Sequence, residues 1–186
     1  MKKYLILLIL NLFDFFYQRK LIKFLKKNNF NTFTVFFDVG AHKGESIKLF
    51  LNNFTIKKIY SFEASPVNFI ELDNIKKKYE KSSKKIDIII ENAALGSENK
   101  NVLFKQFDES SSSTFNDINY ESRYFKRKHQ LLKTKNKFFT EISVKMITLN
   151  DYIIKKEIIK IDFLKIDTEG YEYEVLLGMK NKIKKV

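Results

Sequence analysis

Three short stretches place carboxylates beside turns where an α/β sheet could use them. Asp38-Val39-Gly40-Ala41-His42-Lys43-Gly44 closes the apolar run Thr34 to Phe37 and leads into a helical pattern. Glu63 closes the run Ile59 to Phe62, and Lys165-Ile166-Asp167-Thr168-Glu169-Gly170 closes Ile161 to Ile166. A glycine turn after one strand and an acid at the tip of the next is how such a sheet holds a nucleoside. Gly40 and Gly44 let the turn fold tightly and the backbone come close to a ligand, and the helix that follows points its free N–H groups the same way. The spacing is Gly-x-x-x-Gly, so the dinucleotide fingerprint Gly-x-Gly-x-x-Gly is not met. His42 stands where a middle glycine would, leaving less room for a pyrophosphate. An adenosine carrying an amino acid fits better. Asp38 would receive its amino group, directly or through water, and Glu63 would accept both ribose hydroxyls. The plainer alternative is a pair of glycines that end a strand.

Other positions extend this site. Asn92-Ala93-Ala94 follows the run Ile86 to Ile90, where one polar and two small residues can frame an adenine ring or make an ordinary turn. Asp167 and Glu169 could deprotonate a hydroxyl nucleophile or hold a divalent ion, with Lys165 orienting them or binding an anionic acceptor. The same stretch also reads as a helix start, with Thr168 as cap and Glu169 and Glu172 favourable to the dipole. His129 reads as a surface residue, and His42 as a turn residue sooner than a base. Ser110 to Thr114 is either a lid or a hydroxyl-rich loop.

The elements that must position these groups follow a βα rhythm. Strands are expected at Thr34 to Phe37, Ile59 to Phe62, Ile86 to Ile90 and Ile161 to Ile166. Helices are expected at Glu45 to Leu51, after Pro66 with the stripe Phe69, Leu72, Ile75 and Tyr79, at Leu149 to Glu157, and at Tyr171 to Met179. Val102 to Phe107 and Ile142 to Ile147 alternate as two further strands, flanking the polar segment Asp108 to Lys137. Strands alternating with helices predict an α/β fold with a doubly wound, mostly parallel sheet and flanking helices. Ile183 to Val186 reads as the start of another strand, so the sheet is expected to be cut short there.

Bulk properties narrow the classes. With 186 residues, one domain is expected, and 44% hydrophobic residues argue against wholesale disorder. There is no cysteine, which excludes disulfides, a thiolate zinc site and a cysteine nucleophile. No metal-ligand set is expected. The net charge of +13 is carried almost wholly by lysine, with only Arg19, Arg123 and Arg127 offering the guanidinium fork. The cations are spread along the chain, so solvated faces are expected and no specific nucleic-acid partner. Residues 1–30 form a separate helical segment, with residues 31–186 as the sheet domain. The apolar run Tyr4 to Phe13 lacks a signal-peptide cleavage site. As a span it is short of the ~20 residues required. Leu21, Ile22, Phe24 and Leu25 continue at helical spacing with Lys20, Lys23, Lys26 and Lys27 opposite. This amphipathic helix would pack on the domain or lie on a membrane surface, which fits a cytoplasmic protein with peripheral membrane contact.

Taken together, Phe37 to Gly44, Phe62-Glu63-Ala64-Ser65-Pro66, Asn92-Ala93-Ala94-Leu95-Gly96 and Leu164 to Gly170 resemble the FkbM-type methyltransferases. Ser111-Ser112-Ser113 and Glu174-Val175-Leu176-Leu177-Gly178 also match that pattern, with His42 where the family commonly has Asn. The resemblance implies a Rossmann-like fold and S-adenosyl-L-methionine as cofactor. It implies O-methylation of a hydroxyl on a sugar, glycan or small metabolite. By position it implies that Asp38, Gly40, Gly44 and Glu63 hold the cofactor, with Asn92 by the adenine. Ala41, His42 and Ala93 complete the expected cofactor shell, and Asp167, Glu169 and Lys165 the catalytic set. Two rivals are a non-catalytic nucleoside-binding or membrane- or glycan-associated module derived from a truncated methyltransferase, and a nicotinamide-dependent oxidoreductase, which the glycine spacing disfavours.

Overall fold

The structure, a computed structural model, describes residues 2–82, 86–107, 113–117, 121–123, 127 and 139–180. The chain divides into two compact units, Met1–Asn31 with Asp117–Phe138, and Thr32–Asn116 with Phe139–Val186. The first contains the helix α1 (Lys2–Lys27). Its end is set by Asn29, which turns to φ 64°. That left-handed residue lets the Phe30 N–H reach back to the Leu25 carbonyl at 3.0 Å.

The second unit runs β1 (Thr32–Val39), α2 (Glu45–Asn53), β2 (Thr55–Phe62), α3 (Pro66–Glu80), β3 (Asp87–Glu91), β4 (Ala94–Leu95), β5 (Lys100–Phe107), β6 (Phe139–Ile147), α4 (Leu149–Lys155), β7 (Phe163–Ile166) and α5 (Glu172–Leu177). Four strands form a parallel sheet in the order β3-β2-β1-β7. The chain walks outward from β1 to β3, then returns to the other flank of β1. The order therefore reverses between β1 and β7, the place where an open α/β sheet leaves a crevice at its carboxyl edge.

Side-chain alternation along β1 assigns the two faces. Phe36 stacks on Phe50 of α2 with ring centroids 4.6 Å apart. Phe37 turns the other way into a core with Tyr60, Phe62 and, from α4, Tyr152 and Ile153. Asp38 follows Phe36 onto the α2 face.

The expected helices and parallel strands are present, with shifted ends. β1 and β2 start earlier than their apolar runs because their first residues alternate between buried Phe33 or Ile56 and exposed polar neighbours. β7 starts later. The Asp162 carboxylate accepts the Thr34 and Val35 N–H groups at 2.7 and 2.9 Å, standing in for strand pairing there. The runs around Val102 and Ile142 pair antiparallel as β5 and β6. With the short β4 they make a second, three-stranded sheet, order β4-β6-β5. Ser110 to Ser112, His129 and Ile183 to Val186 lie outside the described residues. Thr114, the end of the serine run, pairs with Lys105 of β5 through both backbone bonds.

Candidate active site

Asp38 sits one residue before the end of β1, level with Ser61 of β2 and Lys165 of β7. In-register neighbours of a parallel sheet project to the same face, so these three side chains meet. Asp38 is fully buried. Lys165 Nζ lies 3.1 Å from Asp38 Oδ1 and 3.6 Å from Asp167 Oδ2, and donates to the Gly40 carbonyl at 2.8 Å. The contact with Asp38 is an ion pair without hydrogen-bond directionality: among the described residues, neither carboxylate oxygen nor the Ser61 hydroxyl has a hydrogen-bond partner. Burial pushes the Asp38 carboxyl above its ordinary range, and the neighbouring ammonium offsets this only in part. The cation it faces is Lys165, 22% exposed, and no surface of Asp38 is open.

The turn after β1 is fixed from both sides. Gly40 and Ala41 donate to the Phe62 carbonyl at 3.0 Å each, tying the turn to the end of β2. Gly40 has φ 75°, and a Cβ there would collide with the Asp167 carbonyl. Its missing side chain thus serves the close approach of β1 and β7. At Gly44, φ is 82° and a Cβ would press on Leu72 and Ile75 of α3 at 3.3 Å. His42 takes a left-handed φ of 49°. Its ring Nδ1 lies 3.2 Å from Glu45 Oε1, a contact internal to the turn.

Glu63 is 6% exposed at the tip of β2. Its Oε2 accepts the His42 N–H and its Oε1 the Ser65 N–H, both at 2.8 Å, with Asn68 Nδ2 at 3.5 Å from Oε1. Burial raises the Glu63 carboxyl, while the Ser65 and His42 N–H groups and Asn68 pull it back in part. The glycine turn and the second-strand acid are therefore one hydrogen-bonded unit. Ser65 also caps α3 by accepting the Asn68 N–H at 3.3 Å, and donates to Gln106 Oε1 of β5 at 2.8 Å. Asn92 is exposed, and its amide donates to the Glu63 and Ala64 carbonyls at 2.8 and 3.3 Å. It thereby anchors the loop after β2 beside buried Ala93.

At the tip of β7, the Asp167 N–H donates to the Val39 carbonyl at 3.0 Å while its side chain is 68% exposed. Glu169 is exposed, with φ 53°. Thr168 does not cap the following helix. Its N–H and hydroxyl instead donate to Glu172 Oε1 at 2.8 and 3.2 Å, as does the Gly170 N–H at 3.2 Å. Helix α5 starts after Tyr171 with no side-chain cap. Among the described residues no three acidic or imidazole groups gather as a metal site.

Lys165, Asp38, Gly40 and Asp167 thus form one corner, and Glu63, His42, Ser65 and Asn68 another. Ser65 and Asn68 were missed as partners of the acid, although Ser-Pro-x-Asn is a helix-start signal. Glu91, the acid at the third strand tip, was also missed. It faces the opposite side of the sheet and accepts the Tyr152 hydroxyl at 2.9 Å. An open cavity of about 440 Å³ lies at the amino ends of the strands, between Thr34, Lys58, Tyr60 and Lys160, away from both corners.

A family model described as the methyltransferase FkbM domain matches residues 38–186. Among solved structures the chain is similar to the crystal structure of methyltransferase FkbM from Methylobacillus flagellatus KT. The TM-score is 0.50 at 16% identity, over 78% of this chain and 28% of that one. At that identity the likeness speaks for the fold, and this chain spans little more than a quarter of the other's length. No curated protein matches.

Proposed function

Because the chain belongs to the FkbM methyltransferase domain family, we propose that it transfers a methyl group from S-adenosyl-L-methionine to a hydroxyl oxygen of a sugar, glycan or small metabolite. The observation that carries this reading is the Glu63 carboxylate holding the His42 N–H inside the glycine turn. That bond brings the strand-tip acid and the turn to one point at the crevice.

The residues present fit the cofactor by their donor and acceptor chemistry. A carboxylate offers about four acceptor sites, so Glu63 keeps capacity for ribose hydroxyls beyond its backbone bonds. The Asn92-Ala93 turn, held against the same loop, supplies the flank for an adenine. Bound S-adenosylmethionine supplies a methyl group already activated on a sulfonium sulfur.

Asp38 and Lys165 act on the site through the turn, since Lys165 grips the Gly40 carbonyl. Asp167 is the proposed base that takes the proton of an acceptor hydroxyl as the oxygen–carbon bond forms; its exposure at the tip of β7 and its backbone bond to Val39 support this. A cofactor held by Glu63 and the Asn92-Ala93 turn would supply the methyl group and carry off the electron pair of its carbon–sulfur bond. Glu169, exposed two residues further on, is the second choice of base. A cysteine-free chain also suits the reducing cytoplasm.

Calorimetric titration with S-adenosylmethionine and with its demethylated product tests the reading. Micromolar binding that weakens at least about tenfold in Glu63→Ala is expected, given a lost charge-assisted hydrogen bond. Folded protein that binds neither compound overturns the cofactor assignment. Binding without methyl transfer to any hydroxyl acceptor supports the non-catalytic alternative.

A further inference from the structure

From Phe13 onward helix α1 carries two apolar faces. Ile22 and Leu25 are buried. Phe13, Tyr17, Leu21 and Phe24 are 68, 79, 39 and 62% exposed. At 3.6 residues per turn these four fall on one stripe roughly 80° wide, apart from the buried pair. Lys20, Lys23 and Lys27 run along one edge of the stripe and are exposed. From Phe13 to Lys27 the helix carries one acid, Asp14, against five cations, Arg19, Lys20, Lys23, Lys26 and Lys27. By helical spacing alone Leu21, Ile22, Phe24 and Leu25 form one apolar face. The structure splits them, leaving half of that surface on the outside.

We propose that this stripe is a docking surface for an anionic lipid bilayer, with the helix lying in the plane of the interface. Large apolar side chains beside a row of lysines match a surface that is oily beneath and negative on top. The lysine stems can rest on the acyl boundary while the ammonium groups reach the lipid phosphates. No described helix is long and apolar enough to cross a membrane, which agrees with a helix that lies on it. A second copy of the chain is the weaker occupant, because it would set the same lysine row, on a chain of net charge +13, against itself.

The chain has no tryptophan, so Phe24→Trp installs a single reporter in the stripe. Ile159→Trp, at an 86% exposed site outside α1, is the control. With vesicles of phosphatidylcholine and phosphatidylglycerol in a two-to-one mixture, the emission of Phe24→Trp shifts to the blue and that of Ile159→Trp does not. Vesicles of phosphatidylcholine alone give a much smaller shift, and high salt weakens the response. In vesicle sedimentation, replacing Lys20, Lys23 and Lys27 by Gln lowers partitioning roughly a hundredfold. Replacing Phe13, Tyr17 and Phe24 by Ser lowers it at least about as much. Unshifted Phe24→Trp emission in folded protein overturns the proposal. So does equal binding to neutral vesicles, binding that survives the serine replacements, or a blue shift without vesicles accompanied by a dimer mass in light scattering.

Discussion

The Asp38 and Glu63 carboxylates end neighbouring strands, border the same turn and are both withdrawn from water, yet they are held by different means. Asp38 faces one mobile-stemmed cation, Lys165, and neither of its oxygens completes a hydrogen bond. Glu63 faces rigid backbone N–H groups from His42 and Ser65. A charge balanced by an ion pair depends on that partner's presence, because burial penalises the unpaired charge heavily. A charge balanced by several N–H dipoles loses them one at a time. The first corner therefore governs whether β1, its turn and β7 stay together. The second governs the shape that the turn offers to a ligand.

That contrast can be broken most sharply at Lys165. Lys165→Met leaves Asp38 buried without its counter-charge and is expected to destabilise the protein by about 4 kcal/mol in urea unfolding. Adding Asp38→Asn is expected to restore more than half of the loss. If the double variant is as unstable as the single one, the ion pair is not what Lys165 supplies. Gly40→Ala sets a Cβ against the Asp167 carbonyl at φ 75° and is expected to lose about 3 kcal/mol.

Glu63→Gln sharpens the other side. The amide keeps one acceptor but turns its NH₂ group toward a backbone N–H, so a stability loss of about 2 kcal/mol is expected. A calorimetric Kd for S-adenosylmethionine should also be weaker by about tenfold.

The two carboxyls share one pH signature. Both are raised in the folded state, so each favours folding below its ordinary pKa, and that contribution is lost as pH rises through the raised value. Relative to the wild type, Asp38→Asn should therefore gain stability as pH rises from 3.8 upward, in urea midpoints taken along a pH series. A constant difference between the two would remove the desolvation argument. The smallest effect is expected at Ser65→Ala, about 1 kcal/mol, from the lost cap of α3.

Much of the fold could be read from local pattern. Buried parallel strands must be apolar on both faces, which made β1, β2 and β3 visible as runs. Helices α2 and α3 showed their inward stripes and, for α3, a proline at the first turn. The second sheet was hidden because β4 has two residues, too few for any period to register. Exposed Lys57 and half-buried Lys58 masked the start of β2. The acids of the site were legible as types at strand tips, but their partners were not. Lys165 and Gly40 are 125 residues apart in the chain, and no local signal links them.

The amino-acid order by itself determined the βα alternation, the glycine turn and the placing of Asp38, Glu63 and Asp167 at the ends of strands, because these depend on side-chain periodicity and on the conformational range of glycine. Only the tertiary structure decided that β7 returns beside β1, that Asp38 faces Lys165, and that Glu63 holds the turn through His42. It also decided which half of α1's apolar surface stays open. Those outcomes come from strand register and from burial, which charges experience only once distant segments have come together and water has been excluded.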